Sequence, residues 1–252
     1  MRARLTIIIT AISFFLAANT YAGEECTIRL RVSDSPPSYF KDLNDNWTGF
    51  VVEQGNAVIK EAECKPKYIK AAWGRGLLML EEGDIDMMGI MSITEERKKF
   101  AHFIGPHHFE IMRLVVANDS NYRIEKHEDL KNLPKRIMLE RDSYYGEEMA
   151  SLLKDESFVK NVQWTSHIAL TPPVIEKVTI GRVSGFISYV TPGGLKKVTK
   201  QVKYHPFIIN SDPVYFGVSK KSVSPLILER LQKAVERLKA KGEFNAILKK
   251  YE

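Results

Sequence analysis

Segments with the pattern of β-strands alternate with helical segments along most of this chain. Strands are predicted for TIRLRVSD, KPKYIKA and the apolar IDMMGIMS. Between them, NWTGFVVEQGNAVIKEAE predicts a turn at Gly49 and then an amphipathic helix, and WGRGLLMLEEGD predicts a short helix that ends at Gly83. Strands that alternate with helices favour a parallel sheet with helical crossovers. The sequence therefore predicts an α/β fold.

A second group of strands and helices occupies the rest of the chain. Its predicted strands are IMRLVVAND, KRIMLERDS, VSGFISYV and YHPFIINSDPVYFGVSKKS, and helices are predicted for YYGEEMASLLKD and the closing stretch. Two α/β groups joined by two extended crossings predict two lobes with a cleft between them. Ligands of open α/β sheets bind beyond the carboxyl ends of the strands. We therefore expect the residues that follow these strands to meet at the cleft: Asp34, Trp73, Ser92 and Ser143.

The first residues have the pattern of a secretory signal peptide. Arg2 and Arg4 precede an apolar run over residues 5–18, and small residues lead to a cleavage point after Ala22. The apolar run is shorter than the about 20 residues that a membrane-spanning helix needs. We therefore expect residues 1–22 to be removed on export and the mature protein to be soluble. A retained membrane anchor is the alternative.

The chain has two cysteines, and their positions predict a disulfide. Cys26 directly precedes TIRLRVSD, and Cys64 directly precedes KPKYIKA. If these are neighbouring parallel strands, their starting ends lie side by side and a bridge is feasible. Export to an oxidising compartment favours it, and it would stabilise the fold by roughly 2–4 kcal/mol. Two free thiols are the alternative, whereas the spacing does not fit a redox or metal-binding pair.

Composition and motifs exclude several classes of function. An apolar content of 44% with 27% charged residues is typical of a globular protein. The net charge of +6 comes from lysines and arginines spread along the sequence, without the interleaved aromatics of a nucleic-acid-binding surface. The sequence contains no GxSxG, HExxH or P-loop motif, and His102, His107 and His108 lack the spacing of a closed zinc site. We expect no nucleic acid, metal or cofactor.

The segment MSITEER, residues 91–97, places an arginine where a helix start disfavours one. Ser92 or Thr94 can cap a helix, but a cation such as Arg97 in the first turn opposes the helix dipole. A bound carboxylate would offset this cost, because a guanidinium matches it with two parallel hydrogen bonds and helix starts attract anions. The alternative is a surface ion pair between Arg97 and a neighbouring glutamate.

The most specific stretch of the chain runs from Trp73 to Pro106 and reads WGRGLLMLEEGDIDMMGIMSITEERKKFAHFIGP. Together with DSPPSYFKD, WTGFVVE, SYYGE, IGRV and the closing LQKAVERLKAKGEFNAILKKYE, it resembles the bacterial extracellular solute-binding proteins of family 3. These are the periplasmic subunits of ABC importers for polar amino acids. The resemblance implies the α/β periplasmic-binding-protein fold of type II, the two-lobed Venus flytrap with a cleft between lobes that two hinge strands join.

The resemblance also implies where the lobes begin and end. Lobe 1 would comprise residues 23–112 and 212–252, and lobe 2 residues 113–211. We expect the hinges near residues 111–114 and 210–213, and closure of the lobes around the ligand by hinge bending. Members of the family are usually monomeric, so a monomer is expected.

A set of ligand-binding residues follows from the same resemblance. Arg97 would bind the α-carboxylate of the ligand with two hydrogen bonds, and Ser92 would contact it as well. Tyr39 and Trp73 would sandwich the side chain of the ligand, with a place in the core as the alternative for each. Asp34 would accept hydrogen bonds from the ligand, with the capping of a turn as its alternative.

The second lobe departs from the pattern of the family. Asp142 and Ser143 stand where the family has a glycine followed by Ser or Thr, and we expect Ser143 at a helix start in the cleft with Tyr144 beside it. Tyr189 stands where an aspartate usually holds the α-ammonium, and a phenol is uncharged near neutral pH. Either Asp142 or Asp34 replaces that aspartate, or the ligand lacks an α-amine.

The leading hypothesis is a binding protein without enzymatic activity. It would capture a small carboxylate-bearing solute, an amino acid by the resemblance, and deliver it to an ABC permease in the inner membrane. One alternative is a periplasmic lyase or dehydratase of the cyclohexadienyl dehydratase type, with its acid or base among His102, His107 and His108. The other alternative is a sensor that presents its closed form to a membrane receptor.

Overall fold

The computed structural model describes residues 26–194 and 199–252, so the signal peptide predicted for residues 1–22 lies outside the described residues. The first strands are β1 (Thr27–Val32), β2 (Phe40–Lys41), β3 (Trp47–Thr48), β4 (Lys65–Lys70), β5 (Met87–Met91) and β6 (Ala101–Ala117). The helices among them are α1 (Phe50–Glu61), α2 (Trp73–Glu82) and α3 (Arg97–Phe100). None of the helices within these described ranges has the length and apolar surface to cross a membrane.

The remaining strands are β7 (Ile137–Glu140), β8 (Val162–Thr165), β9 (Gly185–Tyr189) and β10 (Val202–Ser219). A 3-10 helix covers His127–Asn132, and the α-helices are α4 (Glu147–Leu152), α5 (Glu156–Val159), α6 (Pro172–Thr179), α7 (Pro225–Ala240) and α8 (Glu243–Lys249).

An eight-stranded sheet connects these elements in the order β4-β1-β5-β10-β6-β9-β7-β8. In one half β1 pairs in parallel with β4 and β5, and in the other half β7 pairs in parallel with β8 and β9. The two long strands in the middle, β6 and β10, pair antiparallel with each other. The predicted parallel pairing is therefore confirmed for the outer strands of each half, and antiparallel strands join the halves.

Two hydrophobic cores pack on the two halves of the sheet. The core of lobe 1 joins β1 and β5 to α1, α7 and α8 through buried residues that include Leu30, Ile59, Met87, Phe216 and Leu231. The core of lobe 2 lies around β7, α4 and α5 and is formed by a separate set of buried residues, among them Leu114, Leu139, Met149, Phe158 and Ile187. The predicted two-lobed α/β fold is confirmed.

Strands β6 and β10 cross from one lobe to the other. Near the crossing, Glu110 pairs with Asp212 and Met112 pairs with Asn210. The sequence predicted a strand only from residue 111 on, whereas β6 begins at Ala101. The difference arises because β10 offers backbone partners along nearly the whole of β6, which keeps the segment around the proline extended.

The predicted disulfide, the start of α1 after Gly49 and the end of α2 at Gly83 are confirmed, whereas the closing helical stretch is divided into α7 and α8. Cys26 and Cys64 are bridged at the starting ends of β1 and β4, where the register pairs the residues that follow them. At Gly49, φ is +113°, and a Cβ there would lie 2.3 Å from the carbonyl oxygen of Ser38. Gly83 ends α2 in the left-handed conformation, with φ of 78°.

Candidate functional site

A cavity of about 90 Å³ lies between the two lobes. One water needs roughly 10–15 Å³ of such a space, so the cavity suits several waters or one small organic molecule. Most residues predicted for the ligand site line it: Tyr39, Trp73, Ser92, Arg97, Ser143, Tyr144 and Tyr189. The structure thus brings residues of both lobes together at one place, as the positions after the strands predicted.

Arg97 lies at the base of this cavity with 6% of its surface exposed. The backbone N–H of Arg97 donates a hydrogen bond to the hydroxyl of Thr94 at 3.2 Å, but α3 begins only at Arg97, with Glu96 and not Thr94 at the N-cap. The guanidinium of Arg97 donates to the carbonyl oxygens of Ser92 at 3.0 Å and Asp142 at 2.9 Å. Burial lowers the pKa of Arg97 to about 10, with Glu110 acting in the opposite direction, so the group is charged near neutral pH.

The alternative of a surface ion pair for Arg97 does not hold. Glu95 pairs with Lys98 at 2.6 Å instead, and among the described residues no carboxylate lies within ion-pair distance of the Arg97 guanidinium. Its two hydrogen bonds to carbonyl groups leave its remaining N–H donors for a ligand. A buried cation that faces a cavity with donors to spare has the chemistry to bind an anion.

The carbonyl of Asp142 is the main contact from lobe 2 to this cation. The indole N–H of Trp73 donates to it at 3.0 Å, next to the bond from Arg97. Asp142 has a φ of 63°, which turns the chain sharply after β7. The carboxylate of Asp142 packs against Gly74, where a Cβ would lie 2.2 Å from Oδ2. This carboxylate does not line the cavity, but its charge raises the pKa of Arg97.

Ser143 lines the cavity, but the expected helix start at this residue is wrong. Helix α4 begins at Glu147, after Gly146 with φ of 95°. The intervening loop is held by Tyr145, whose buried hydroxyl accepts a hydrogen bond from the backbone N–H of Glu140 at 2.7 Å. Because Tyr145 is tied back to β7, the chain cannot become helical before the glycine.

Tyr39 and Trp73, the two rings predicted to sandwich the ligand's side chain, are contacted by Arg31 of the protein itself. The guanidinium of Arg31 stands over the ring of Tyr39 at 5.2 Å and over the ring of Trp73 at 5.6 Å. Arg97 also approaches the ring of Trp73, at 5.4 Å. Cations over such rings are stabilised by about 0.5–2 kcal/mol. Tyr39 and Trp73 therefore position arginines, and Arg31 lines the cavity as a second buried cation that the sequence did not predict.

Asp34 is the one predicted residue that the structure does not place in the cavity. Its carboxylate is 60% exposed and pairs with Lys70. Only its backbone takes part in the contact between lobes, since its carbonyl oxygen faces Nε2 of His167 at 3.1 Å. A surface lysine is available to the carboxylate because β1 and β4 end side by side. We therefore leave Asp34 out of the proposed site.

Tyr189 lines the cavity and joins the two lobes. Its hydroxyl shares a hydrogen bond of 2.5 Å with the hydroxyl of Ser38 from lobe 1. Its ring packs against a lobe 1 cluster around Val32 and Phe50. Burial raises the pKa of this phenol further above its usual value, so it carries no charge. Tyr189, which stands where the family usually has an aspartate, therefore contributes to the contact between the lobes.

Glu110 is a buried carboxylate of the cavity that the sequence analysis missed. It lies on β6 at the crossing, with 9% of its surface exposed. Burial raises its pKa to about 7, the charge of Arg97 lowers it, and Asp212 raises it. One signal was present: a charged residue stands directly before the strand IMRLVVAND and beside a predicted hinge.

Glu140 and His167 lie close together at the lobe 2 side of the cavity. Nδ1 of His167 lies 3.5 Å from the carboxylate of Glu140. The hydrogen bond with Glu140 raises the pKa of His167, burial opposes this, and the carbonyl of Asp34 raises it again. When protonated, His167 is a cationic partner of Glu140, whose buried Oε1 has no hydrogen-bond partner among the described residues.

The three histidines proposed for catalysis do not line the cavity. His107 and His108 lie in a different cavity, beside α7 and α8, and His102 pairs with Val218 in the sheet. Burial lowers the pKa of each of the three. Across the described ranges, no group of three or more His, Cys, Asp or Glu side chains is arranged to hold a metal ion.

The fold thus has two lobes, and a buried guanidinium lines the cavity between them. The profile of the bacterial extracellular solute-binding proteins, family 3, matches residues 28–252. The chain belongs to this family, as its resemblance predicted.

The chain is also similar to curated relatives and to a solved structure. The chain is 24% identical over 218 residues to a probable histidine-binding protein of Neisseria gonorrhoeae, covering 83% of this chain and 76% of the relative. It is 23% identical over 247 residues to an L-arginine-binding protein of Pseudomonas aeruginosa, covering 94% and 91%. The structure of an ancestral arginine-binding protein bound to glutamine matches with a TM-score of 0.74 and 23% identity, over 90% of this chain and 98% of that one. This last likeness shows a shared fold.

Proposed function

We propose that this chain is an exported binding protein that captures an amino acid between its lobes and delivers it to an ABC importer. The site residues in this proposal are Ser92, Arg97, Ser143 and Tyr144 around the carboxylate, with Trp73 and Tyr189 supporting the closed cleft. The relatives named as histidine- and arginine-binding proteins support the ligand class. The family supports the periplasmic location and the importer as partner.

One observation carries the proposal: a buried guanidinium lines the cleft and is hydrogen bonded to both lobes. Arg97 donates to Ser92 in lobe 1 and to Asp142 in lobe 2. Carbonyl oxygens carry partial charge only, so the cation keeps most of its attraction for a carboxylate. A ligand bound to Arg97 therefore contacts a group that lies at the interface of the lobes, which favours the closed arrangement.

Lobe closure is proposed to occur by hinge bending within β6 and β10. The proposed hinges, residues 111–114 and 210–213, meet in the antiparallel pair, where Ile111 pairs with Ser211 and Met112 with Asn210. With the boundaries at these positions, lobe 1 comprises residues 23–112 and 212–252 and lobe 2 residues 113–211. The two hydrophobic cores support this division, because their buried residues fall on opposite sides of the crossing.

The bond between Ser38 and Tyr189 gives a test of closure. Tyr189→Phe keeps the packed ring and removes the hydrogen bond between lobes. A hydrogen bond contributes about 0.5–1.5 kcal/mol, so we expect ligand affinity to fall by roughly 2- to 10-fold. Titration calorimetry measures it.

Tyr204→Phe is the matched control for this substitution. The hydroxyl of Tyr204 donates to the carbonyl of Tyr189 at 2.9 Å and accepts from the backbone of Thr191, so its bonds stay within lobe 2. Its loss is expected to lower thermal stability and leave affinity unchanged. An equal loss of affinity in both variants would argue against a role of the Ser38–Tyr189 bond in closure.

A thermal-shift screen of the mature protein tests the proposed ligand class. Each of four amino acids is paired with the same molecule lacking the α-amine: L-glutamate with glutarate, L-glutamine with glutaramate, L-arginine with guanidinopentanoate, and L-histidine with imidazolepropanoate. A ligand at about 1,000 times its Kd stabilises by roughly 4 kcal/mol, which raises the unfolding midpoint by about 8–16 °C in a chain of this size. We expect a shift of this order with at least one amino acid.

Two results of the screen would contradict the proposal. No shift with any carboxylate would show that the cleft is not a carboxylate site. Shifts with the amine-free acids alone would keep the carboxylate site and reject amino acids as the ligand class. Uptake of the labelled ligand by cells with and without this chain then tests delivery to an importer.

A dehydratase or lyase is the second candidate, and one observation favours it. Glu110 is a buried carboxyl of the cleft, and burial raises its pKa to about 7, which suits a general acid near neutral pH. Incubation of the bound ligand with the protein, followed by NMR, tests this function. A new product whose amount grows with time would establish the enzyme, and an unchanged spectrum supports binding alone.

A further inference from the structure

We propose that Glu110 binds the cationic amine of the ligand and is thereby the residue that makes the cleft select amine-bearing carboxylic acids. This inference rests on the proposed function and names the group that holds the second charge of the same ligand. It also explains how the protein can hold an ammonium although Tyr189 stands in place of the usual aspartate. The carboxylate comes from the crossing strand β6 instead of from β9.

The position of Glu110 fits a ligand contact. Its side chain is nine-tenths buried and lines the same cavity as Arg97. In the part of the chain that the structure describes, neither the backbone nor a side chain donates a hydrogen bond to its carboxylate. Buried carboxylates ordinarily have such partners, since an unpaired one costs several kcal/mol. A ligand amine would supply the missing donors.

The charges around Glu110 do not satisfy it. Arg97 on α3 is near enough to lower its pKa, yet it donates its hydrogen bonds to carbonyl groups. Asp212 stands opposite on β10, and this like charge raises the pKa of Glu110. The charge of Glu110 also raises the pKa of three phenols on other elements: Tyr39, Tyr145 and Tyr189. All three are neutral near pH 7, so the surroundings leave the carboxylate without a full partner.

The other carboxylates considered for the amine are unsuitable. Asp34 pairs with Lys70 on the surface, and Asp142 packs against Gly74 outside the cavity. Glu140 lines the cavity too, and its buried Oε1 has no hydrogen-bond partner in the described part of the chain, but Nδ1 of His167 lies 3.5 Å from it and is a cationic partner when protonated. In an amino acid the carboxylate and the amine share one carbon atom, so the group that holds the amine must open on the same cavity as Arg97. Within the described ranges Glu110 meets this condition and has no cation of its own.

This assignment predicts that ligand affinity depends on pH and is lower at acidic pH. In the free protein Glu110 has a pKa of about 7, and an ammonium beside it lowers that value in the complex. Below pH 7 the ligand must therefore displace a proton, so affinity falls as the pH decreases, by up to about tenfold per unit. Glu140 raises the pKa of His167, and the contribution of this imidazole is common to the wild type and to a Glu110 variant.

Titration calorimetry on three proteins tests the inference: the wild type, Glu110→Gln and Asp212→Asn. Each is titrated with the amino acid that gives the largest shift in the screen and with its partner lacking the amine. In Glu110→Gln we expect affinity for the amino acid to fall by about 100-fold or more, and affinity for the amine-free partner to stay the same or increase. Asp212→Asn, whose side chain faces the same strand position, is expected to keep the preference for the amine.

Proton release gives a second readout on the unmodified protein. Titrations near pH 6 in two buffers of different ionisation enthalpy should show close to one proton released per ligand bound, and Glu110→Gln should lose this release. Unfolding temperatures without ligand show that the variant is folded. Since the amide is neutral, it is expected to be tolerated in this buried position.

The outcomes separate this inference from the proposed function. If Glu110→Gln weakens both members of a pair equally, or neither, Glu110 does not select the amine although the cleft still binds amino acids. If the wild type binds the amine-free acids best, the inference is overturned and the carboxylate site stands. If no carboxylate binds, the proposed function fails, and the inference fails with it.

Discussion

Replacing Arg97 with alanine is expected to reduce affinity for the ligand by roughly 100- to 1,000-fold or more, because the carboxylate loses a buried, charge-assisted partner. The same change removes the hydrogen bond from Arg97 to the carbonyl of Asp142 and so loosens the contact between lobes. Both effects weaken the binding of the ligand. Titration calorimetry with the best ligand of the screen measures the loss, and unfolding temperatures without ligand establish that the variant is folded.

Lys98→Ala is the matched control for the substitution of Arg97. The two cations are adjacent on α3, but the side chain of Lys98 is 52% exposed and pairs with Glu95. Exposed ion pairs contribute about 0–1 kcal/mol, so affinity should be unchanged. Wild-type affinity in Arg97→Ala would place the ligand at another site, and a loss shared by both variants would indicate a disturbance of α3 in general.

The disulfide between Cys26 and Cys64 is expected to make a large contribution to the stability of the fold. In Cys26→Ala combined with Cys64→Ala, the free energy of unfolding should fall by roughly 2–4 kcal/mol. For a chain of this size each kcal/mol shifts the unfolding midpoint by about 2–4 °C, so a decrease of about 4–16 °C is expected. Scanning calorimetry of the oxidised wild type and the double variant measures it.

Ligand affinity should be unchanged in the double cysteine variant. The bridge joins the starting ends of β1 and β4, and the cleft lies at their carboxyl ends, where Asp34 and Lys70 meet. Chemical reduction of the wild type should lower the midpoint by the same amount, which separates loss of the bridge from loss of packing. Two free thiols in the unfolded, unreduced protein would refute the bridge.

Features that depend on local rules could be predicted from the sequence. A turn requires Gly49, the stop of α2 requires Gly83, and the hydroxyl of Thr94 accepts a hydrogen bond at the start of α3. Arg97 stood out because it violates one of these rules, and the structure places it in the cavity. The disulfide followed from two strand starts that proved to be neighbours.

Features that depend on tertiary contacts could not be predicted in this way. Arg31 and Glu110 are charged residues on strands, which are ordinarily exposed, and only the packing of two lobes around them makes them buried. Ser143 was expected at a helix start, but the hydroxyl of Tyr145 bonds back to β7 and delays the helix. Asp34 has the right position after β1, yet a lysine from the adjacent strand takes its charge.

The departures from the family pattern concern the charges of the cleft. Tyr189 replaces a carboxylate with a phenol that joins the lobes, and Glu110 brings a carboxylate in from the crossing strand. Arg31 adds a cation over the rings of Tyr39 and Trp73. A cationic side chain on the ligand would meet this second guanidinium, so the chemistry around the ligand's side chain differs from a plain aromatic sandwich.

A crystal structure of the mature protein with the ligand selected by the screen would show whether Arg97 binds the carboxylate. We expect the carboxylate of the ligand to accept hydrogen bonds from the guanidinium of Arg97 in the cleft between the lobes, at about 2.7–2.9 Å. A ligand whose carboxylate lies away from Arg97, or a ligand in the cavity beside α7 and α8, would contradict this expectation.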